Sequence, residues 1–135
     1  MDPSAFVASQ ELIDALEQRS TPVSCDRDRI LFRQGEDPIG IYIVKSGQVR
    51  LSMQSASGQL IFNIQSGPGS VLGLPGLIGS QPYSLTAIAQ KGSEVGFVAG
   101  EEFHQLMASQ PLLSIKVLEV LAAEVRTARQ AILTS

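Results

Sequence analysis

The sequence is poor in the residues that build metal sites and disulfides. Its 135 residues include one histidine (His104), one cysteine (Cys25) and no tryptophan. A structural zinc site or a multi-histidine metalloenzyme needs several such ligands, so both are excluded, as is a disulfide within the chain. A lone thiol is typical of a reducing compartment, which indicates a cytoplasmic protein.

Charge is absent from the middle of the chain. No Asp, Glu, Lys, Arg or His occurs from Leu51 to Gln90, and all twelve glycines lie between Gly35 and Gly100. The ten basic and thirteen acidic residues give a net charge of -3 without a basic cluster, which argues against an autonomous nucleic-acid binder. Three prolines interrupt the uncharged stretch, so it is not a membrane span, and the first residues lack a signal-peptide pattern.

The length and the residue pattern predict one domain over residues 1–135 with three regions. Residues 1–20 form an N-terminal helix with apolar residues at helical spacing and Asp2 as a cap before Pro3. Residues 22–99 form a β-roll, because short strands alternate with turn signals about every 8–12 residues. The strand candidates are residues 29–33, 40–45, 48–53, 60–64, 70–72, 84–89 and 94–98.

Residues 100–134 are predicted to be helical. A short helix begins at Gly100, and Pro111 ends it and opens a longer helix as its first residue. One apolar stripe runs along the longer helix at spacings of four, four, three and four residues: Val117, Leu121, Val125, Ala128 and Ile132. We interpret this stripe as the contact surface of a homodimer, the alternative being a face that packs only within the chain.

The segment from Leu31 to Gly47, LFRQGEDPIGIYIVKSG, resembles the first signature of cyclic-nucleotide-binding domains of the catabolite-activator/fumarate-nitrate-regulator (Crp/Fnr) type. The signature has two apolar residues, a glycine turn, a run of four apolar residues and a second glycine. Here the two glycines are Gly35 and Gly47, whose backbone angles other residues resist. The resemblance implies a mainly β fold with flanking helices. The implied fold is an eight-stranded antiparallel jelly roll (double-stranded β-helix) with an N-terminal helix, a short helix and a long C-terminal helix.

The second signature of that family is the phosphate-binding cassette, in which a Glu binds the ribose and an Arg binds the cyclic phosphate. The matching segment is residues 72–89, LGLPGLIGSQPYSLTAIA, where Leu74 stands in the place of the Glu and Tyr83 in the place of the Arg. Losing a charge-assisted contact of this kind costs on the order of 2–5 kcal/mol, or about 30-fold to several-thousand-fold in affinity. The candidate ligand-binding residues carried over from the family are Gly73, Leu74, Gly76, Leu77, Tyr83 and Ser84.

We therefore expect a non-catalytic regulatory or sensor domain that does not bind cyclic AMP or cyclic GMP in the usual way and signals through the C-terminal helix. One alternative keeps cyclic-nucleotide binding through a rearranged pocket, with a charge from Arg50, Lys91, Arg126 or Arg129. A second is a structural or dimerisation module with a collapsed pocket. The possible effector is a cyclic nucleotide or another small molecule.

Tyr83 and Ser84 also have two interpretations. They line a small, largely apolar ligand site, or Tyr83 only caps the mouth of the roll and Ser84 only starts a strand. Leu74 and Leu77 are likewise either a pocket wall or core. No nucleophile with a base and an orienting group is present, so no catalytic residue, metal site or enzymatic activity is expected. Nor does the chain contain the helix-turn-helix that follows this domain in many relatives, so it is either a free-standing module or the sensor part of a regulator.

Overall fold

The structure is a computed structural model that describes residues 3–134, and it confirms the jelly roll. The strands are β1 (Thr21–Val23), β2 (Arg29–Phe32), β3 (Gly40–Ser46), β4 (Val49–Gln54), β5 (Leu60–Ser66), β6 (Val71–Leu72), β7 (Thr86–Ala89) and β8 (Glu94–Ala99). They form two four-stranded antiparallel sheets with the orders β1-β8-β3-β6 and β2-β7-β4-β5. The α-helices are α1 (Gln10–Glu17), α2 (Leu74–Gly79), α3 (Gly100–Ser109) and α4 (Leu113–Thr134). None of these helices is long and apolar enough to cross a membrane.

Strand β3 explains why its sequence is a continuous apolar run. Ile41 and Ile43 point to a core shared with α1, α3 and α4, whereas Tyr42 and Val44 point into the interior of the roll. Successive side chains of a strand face opposite sides, so a strand that is covered on both sides needs apolar residues at every position.

The N-terminal region differs from the single helix predicted over residues 1–20. It consists of a 3-10 turn (Pro3–Phe6) and α1, with an extended link between them. Within the link, Val7 forms an isolated β-bridge with Ser70, and the Ala8 amide donates to the Gly69 carbonyl at 3.0 Å. These backbone bonds compete with the helical ones, so α1 starts later, with the Ser9 side chain as its cap. The predicted cap, Asp2, lies outside the described residues.

Helix α4 also differs in detail from the prediction. Pro111 lies in the turn before α4, whose first residue is Leu113. Leu113, Val117, Val120 and Thr127 are buried and follow one another at helical spacing, so they form the side of α4 that faces the roll. We call this set, together with Glu124 in the same register, the inner row of α4.

The predicted dimer stripe is divided between two sides of α4. Val117 lies in the core and Leu121 is partly buried, so these two contribute to packing within the chain. Val125 and Ile132 are 48% and 73% exposed, and Ala128 is also exposed. Apolar residues cover a wide arc of this helix, and spacing alone could not decide which part of the arc faces the roll.

Two glycines of the first signature provide a prediction for stability. Gly35 and Gly47 have φ values of +94° and +87°, as the resemblance implied. A Cβ at Gly47 would lie 2.3 Å from the Ser93 Oγ, whereas nothing lies within 4 Å of a Cβ at Gly35. We expect Gly35→Ala to lower the free energy of unfolding by about 1–2 kcal/mol and Gly47→Ala by about 1–3 kcal/mol more, because it also overpacks. Urea denaturation of both variants checks this, and equal losses would contradict the packing argument.

Candidate functional site

A small cavity lies between the cassette, the N-terminal turn and α4. Its volume is about 20 Å³, which is the room that one water molecule needs. Most of its wall is apolar, and an acidic side chain from α4 completes it. The lining residues are Phe6, Phe32, Leu51, Leu72, Gly73, Pro75, Gly76, Tyr83, Ser84, Leu85 and Glu124.

The structure brings together four of the six candidate residues predicted from the cassette. Gly73, Gly76, Tyr83 and Ser84 line the cavity. Leu74 and Leu77 do not, because their side chains belong to the core that lies between the sheet and the helices. Leu74 has no exposed surface, so the residue in the place of the family's Glu contributes to folding.

Helix α2 is short and offers few free amides to a ligand. Gly73 precedes it with a φ of +97°, and Pro75 in its first turn has no N–H. The Leu77 amide donates back to the Gly73 carbonyl at 3.2 Å. This part of the cassette therefore lacks much of the anion-binding character of a helix N-terminus.

Tyr83 fastens the cassette to the start of β3. Its hydroxyl donates to the Gly40 carbonyl at 2.6 Å and accepts from the amides of Ile39 and Gly40 at 3.3 and 3.4 Å. Its ring stacks on Phe32 with a centroid distance of 4.1 Å. Burial raises the pKa of the Tyr83 hydroxyl, which stays protonated. The backbone thus already engages the hydroxyl that was expected as a polar point for a ligand.

No cationic side chain lines this cavity in the part of the chain that the structure describes. Arg50, Lys91, Arg126 and Arg129, which could in principle have replaced the missing arginine, are all exposed. Residues 3–134 also contain no group of three or more His, Cys, Asp or Glu side chains that could hold a metal ion.

Glu124 is the site residue that sequence reasoning missed. Its Oε2 atom is buried without a hydrogen-bond partner among the described residues. Burial raises the pKa of the Glu124 carboxyl to about 7. A glutamate on a helix normally lies on the surface, but Glu124 follows Val117 by seven residues and Val120 by four. That spacing was the available signal.

The raised pKa of Glu124 predicts how stability depends on pH. The folded state holds this proton more tightly than the unfolded chain, whose ordinary glutamate pKa is near 4.5. The protonated Glu124 carboxyl therefore contributes fully to the free energy of unfolding below about pH 4.5. This contribution is lost as the pH rises to about 7, and the loss is at most about 3 kcal/mol. We expect Glu124→Gln to remove this loss, which urea denaturation between pH 4.5 and 8 measures. The exposed Glu119→Gln on the same helix is the control, and parallel pH profiles for wild type and Glu124→Gln would contradict the prediction.

Known proteins are similar to this chain in sequence and in fold. A family model described as cyclic nucleotide-binding domain matches residues 22–110. The cyclic AMP receptor protein of Thermus thermophilus is 30% identical over 98 residues, which are 73% of this chain and 45% of that protein. The transcriptional activator protein Anr of Pseudomonas protegens is 25% identical over 130 residues, which are 96% of this chain and 52% of that protein. The chain thus spans about half the length of these curated relatives.

Solved structures show the same fold. The catabolite activator protein of Thermus thermophilus superposes with a TM-score of 0.79 at 24% identity, over 97% of this chain and 62% of that chain. The sensor domain of the transcriptional regulator DNR from Pseudomonas aeruginosa superposes with a TM-score of 0.67 at 20% identity, over 90% of this chain and 82% of that chain. The chain belongs to the cyclic nucleotide-binding domain family, in its Crp/Fnr type.

Proposed function

We propose that this domain is a non-catalytic sensor that does not hold cyclic AMP or cyclic GMP through the contacts usual in its family. The charge of the cavity carries the proposal. Its lining includes the Glu124 carboxyl and no cationic side chain among the described residues. A cyclic phosphate would meet no positive partner there and would face a group that is partly ionised at neutral pH.

Two energetic effects disfavour a cyclic nucleotide in this cavity. Without the arginine, the cyclic phosphate loses a charge-assisted contact, and the loss of binding free energy is on the order of 2–5 kcal/mol. An anion beside the Glu124 carboxylate adds like-charge repulsion in a cavity with few polar groups to screen it. Both effects disfavour the same ligand class, so a rearranged pocket would need a cation from outside the lining.

Helix α4 is the element best placed to transmit a change at the cavity. Its inner row carries Glu124, while apolar residues lie exposed on the other side. Four large exposed side chains repeat at spacings of three and seven: Ile115, Leu118, Val125 and Ile132. A seven-residue repeat of this kind is typical of two helices that pack together, which supports a homodimer through α4.

The small size of the cavity favours a second candidate function. A volume of about 20 Å³ is too small for a nucleotide, which suits a dimerisation module without a ligand. Native mass spectrometry of the purified protein separates the two candidates. A co-purifying small molecule would rule out the ligand-free module.

Calorimetric titration tests the loss of cyclic-nucleotide binding. We expect neither cyclic AMP nor cyclic GMP to bind more tightly than about 10 μM at pH 7.5, because the cavity lacks a cation and contains Glu124. A cyclic-nucleotide-binding relative titrated with the same solutions is the positive control. Binding tighter than about 10 μM would refute the proposed function.

Sedimentation tests the dimer. We expect the parent chain to sediment as a dimer and Leu118→Glu with Val125→Glu to sediment as a monomer, because two carboxylates in each helix would oppose the contact. Both side chains are exposed, so the double variant keeps its fold by circular dichroism. Glu119→Lys, which changes an exposed charge on α4, is the control. A monomeric parent chain at about 100 μM would be inconsistent with a dimer of useful affinity.

A further inference from the structure

Phe6 occupies space between the cassette and α4. Its ring is 2% exposed and shares a core with Phe32, Leu51 and Tyr83 inside the roll. It reaches this place from the 3-10 turn Pro3–Phe6, next to Glu124 in the cavity wall. An aromatic ring is therefore already a ligand-like occupant of this site, and it is supplied by the chain itself.

The turn that carries this ring is held by contacts with α4 and β5 and by a few backbone bonds. The Val7 amide donates to the Ser4 carbonyl at 3.1 Å, and the link that follows is held by the Ala8 amide and the Val7–Ser70 bridge. A short 3-10 turn has poorer hydrogen-bond geometry than an α-helix. Withdrawal of the turn breaks its contacts with α4 and β5, whereas α1 keeps its own cap at Ser9, which lies after the link.

The unpaired oxygen of Glu124 indicates that a ligand of this cavity carries a hydrogen-bond donor. The wall around it consists mainly of Phe, Leu, Gly and Pro residues, and the Tyr83 hydroxyl already donates a hydrogen bond to the Gly40 carbonyl. A buried carboxylate gains most from a charged donor, since a charge-assisted bond is roughly twice as strong as a neutral one. Water can satisfy the oxygen, but it cannot neutralise the charge.

We propose that this cavity binds a small ligand that combines an apolar ring with a protonated amine, the ring taking the place of Phe6 and the ammonium donating to Glu124. This inference rests on the proposed sensor function and names its ligand class. Anions are excluded by the carboxylate, and neutral ring compounds lack the charged donor. Occupancy moves the Pro3–Phe6 turn away from α4 and so reports the ligand to the helix that carries the exposed apolar side.

The experiment uses three probes of similar size: benzylamine, benzyl alcohol and benzoate. Calorimetric titration at pH 7.5 should show benzylamine binding to the wild type at least about tenfold more tightly than benzyl alcohol, with benzoate weakest. In Glu124→Gln the preference for the amine should fall below about twofold. Glu119→Gln, on the exposed side of the same helix, should keep the wild-type preference.

The place of Phe6 is tested separately. Phe6→Ala removes the competing ring and should bind benzylamine at least about tenfold more tightly than the wild type. Phe6→Leu keeps an apolar side chain if the alanine variant fails to fold, and it should bind benzylamine more tightly too. Val7→Ala, on the exposed neighbour, should not change the affinity. In the wild type, benzylamine should speed hydrogen exchange at the Val7 and Ala8 amides, which binding elsewhere on the surface would not do.

The inference and the proposed function fail in different experiments. Equal binding of the amine and the alcohol, an amine preference that survives in Glu124→Gln, or no benzylamine binding in any of these proteins would overturn the ligand class. None of these results restores a cyclic-nucleotide site. Cyclic-nucleotide binding tighter than about 10 μM overturns the proposed function whatever the amines do.

Discussion

The packing of α4 against the roll is the constraint on which the site depends. Leu113, Val117 and Val120 bury their side chains in the core shared with α1 and β3. Each such burial stabilises the fold by roughly 1.5–3 kcal/mol. Rotating the helix to bring Glu124 into water would expose these side chains, so the register of α4 holds the carboxyl in the cavity. The ionisation of one residue is thus linked to the position of a whole helix.

The cassette is internally satisfied without a ligand. An arginine at position 83 would leave a guanidinium that needs an anion, whereas the Tyr83 hydroxyl finds its partners in the backbone at Ile39 and Gly40. The glycines of the cassette serve the same packing. A Cβ at Gly73 would lie 3.1 Å from the Tyr83 ring, and one at Gly76 would lie 3.0 Å from the Gln81 carbonyl oxygen. Small residues that resemble a phosphate cradle in the sequence therefore make room for the Tyr83 ring and for the backbone that leads to it.

Seven of the eight strands were predictable because their signals are local, whereas β1 (Thr21–Val23) was not among the predicted strands. The apolar run of β3 and the glycines at 35 and 47 determine where the chain extends and where it turns, and the structure agrees to within a residue or two. The N-terminal helix was not predictable over its whole length. Its apolar spacing is helical, but the bridge from Val7 to Ser70 joins residues far apart in sequence.

The candidate site was predictable only in part for the same reason. The missing Glu and Arg are evident from the residues at 74 and 83, because a resemblance compares positions one by one. The acid that lines the cavity comes from α4, fifty residues after Leu74, and belongs to no signature. Its spacing from Val117 and Val120 is helical, but apolar residues cover a wide arc of α4, so the packing of the inner row was needed to show that position 124 faces the roll.

The two sides of α4 connect the cavity, which Glu124 lines, with the exposed apolar side chains of the same helix. The inner row fixes the helix through three apolar contacts near its start, while Glu124 lies further along, where the helix leaves that core. A change in charge or occupancy at Glu124 therefore acts on the part of α4 that lies beyond this apolar core. The exposed side chains of Val125 and Ile132 lie on this same part. In a dimer formed through these side chains, a change in the charge or occupancy of the cavity would alter the dimer contact through α4, without a change in the roll.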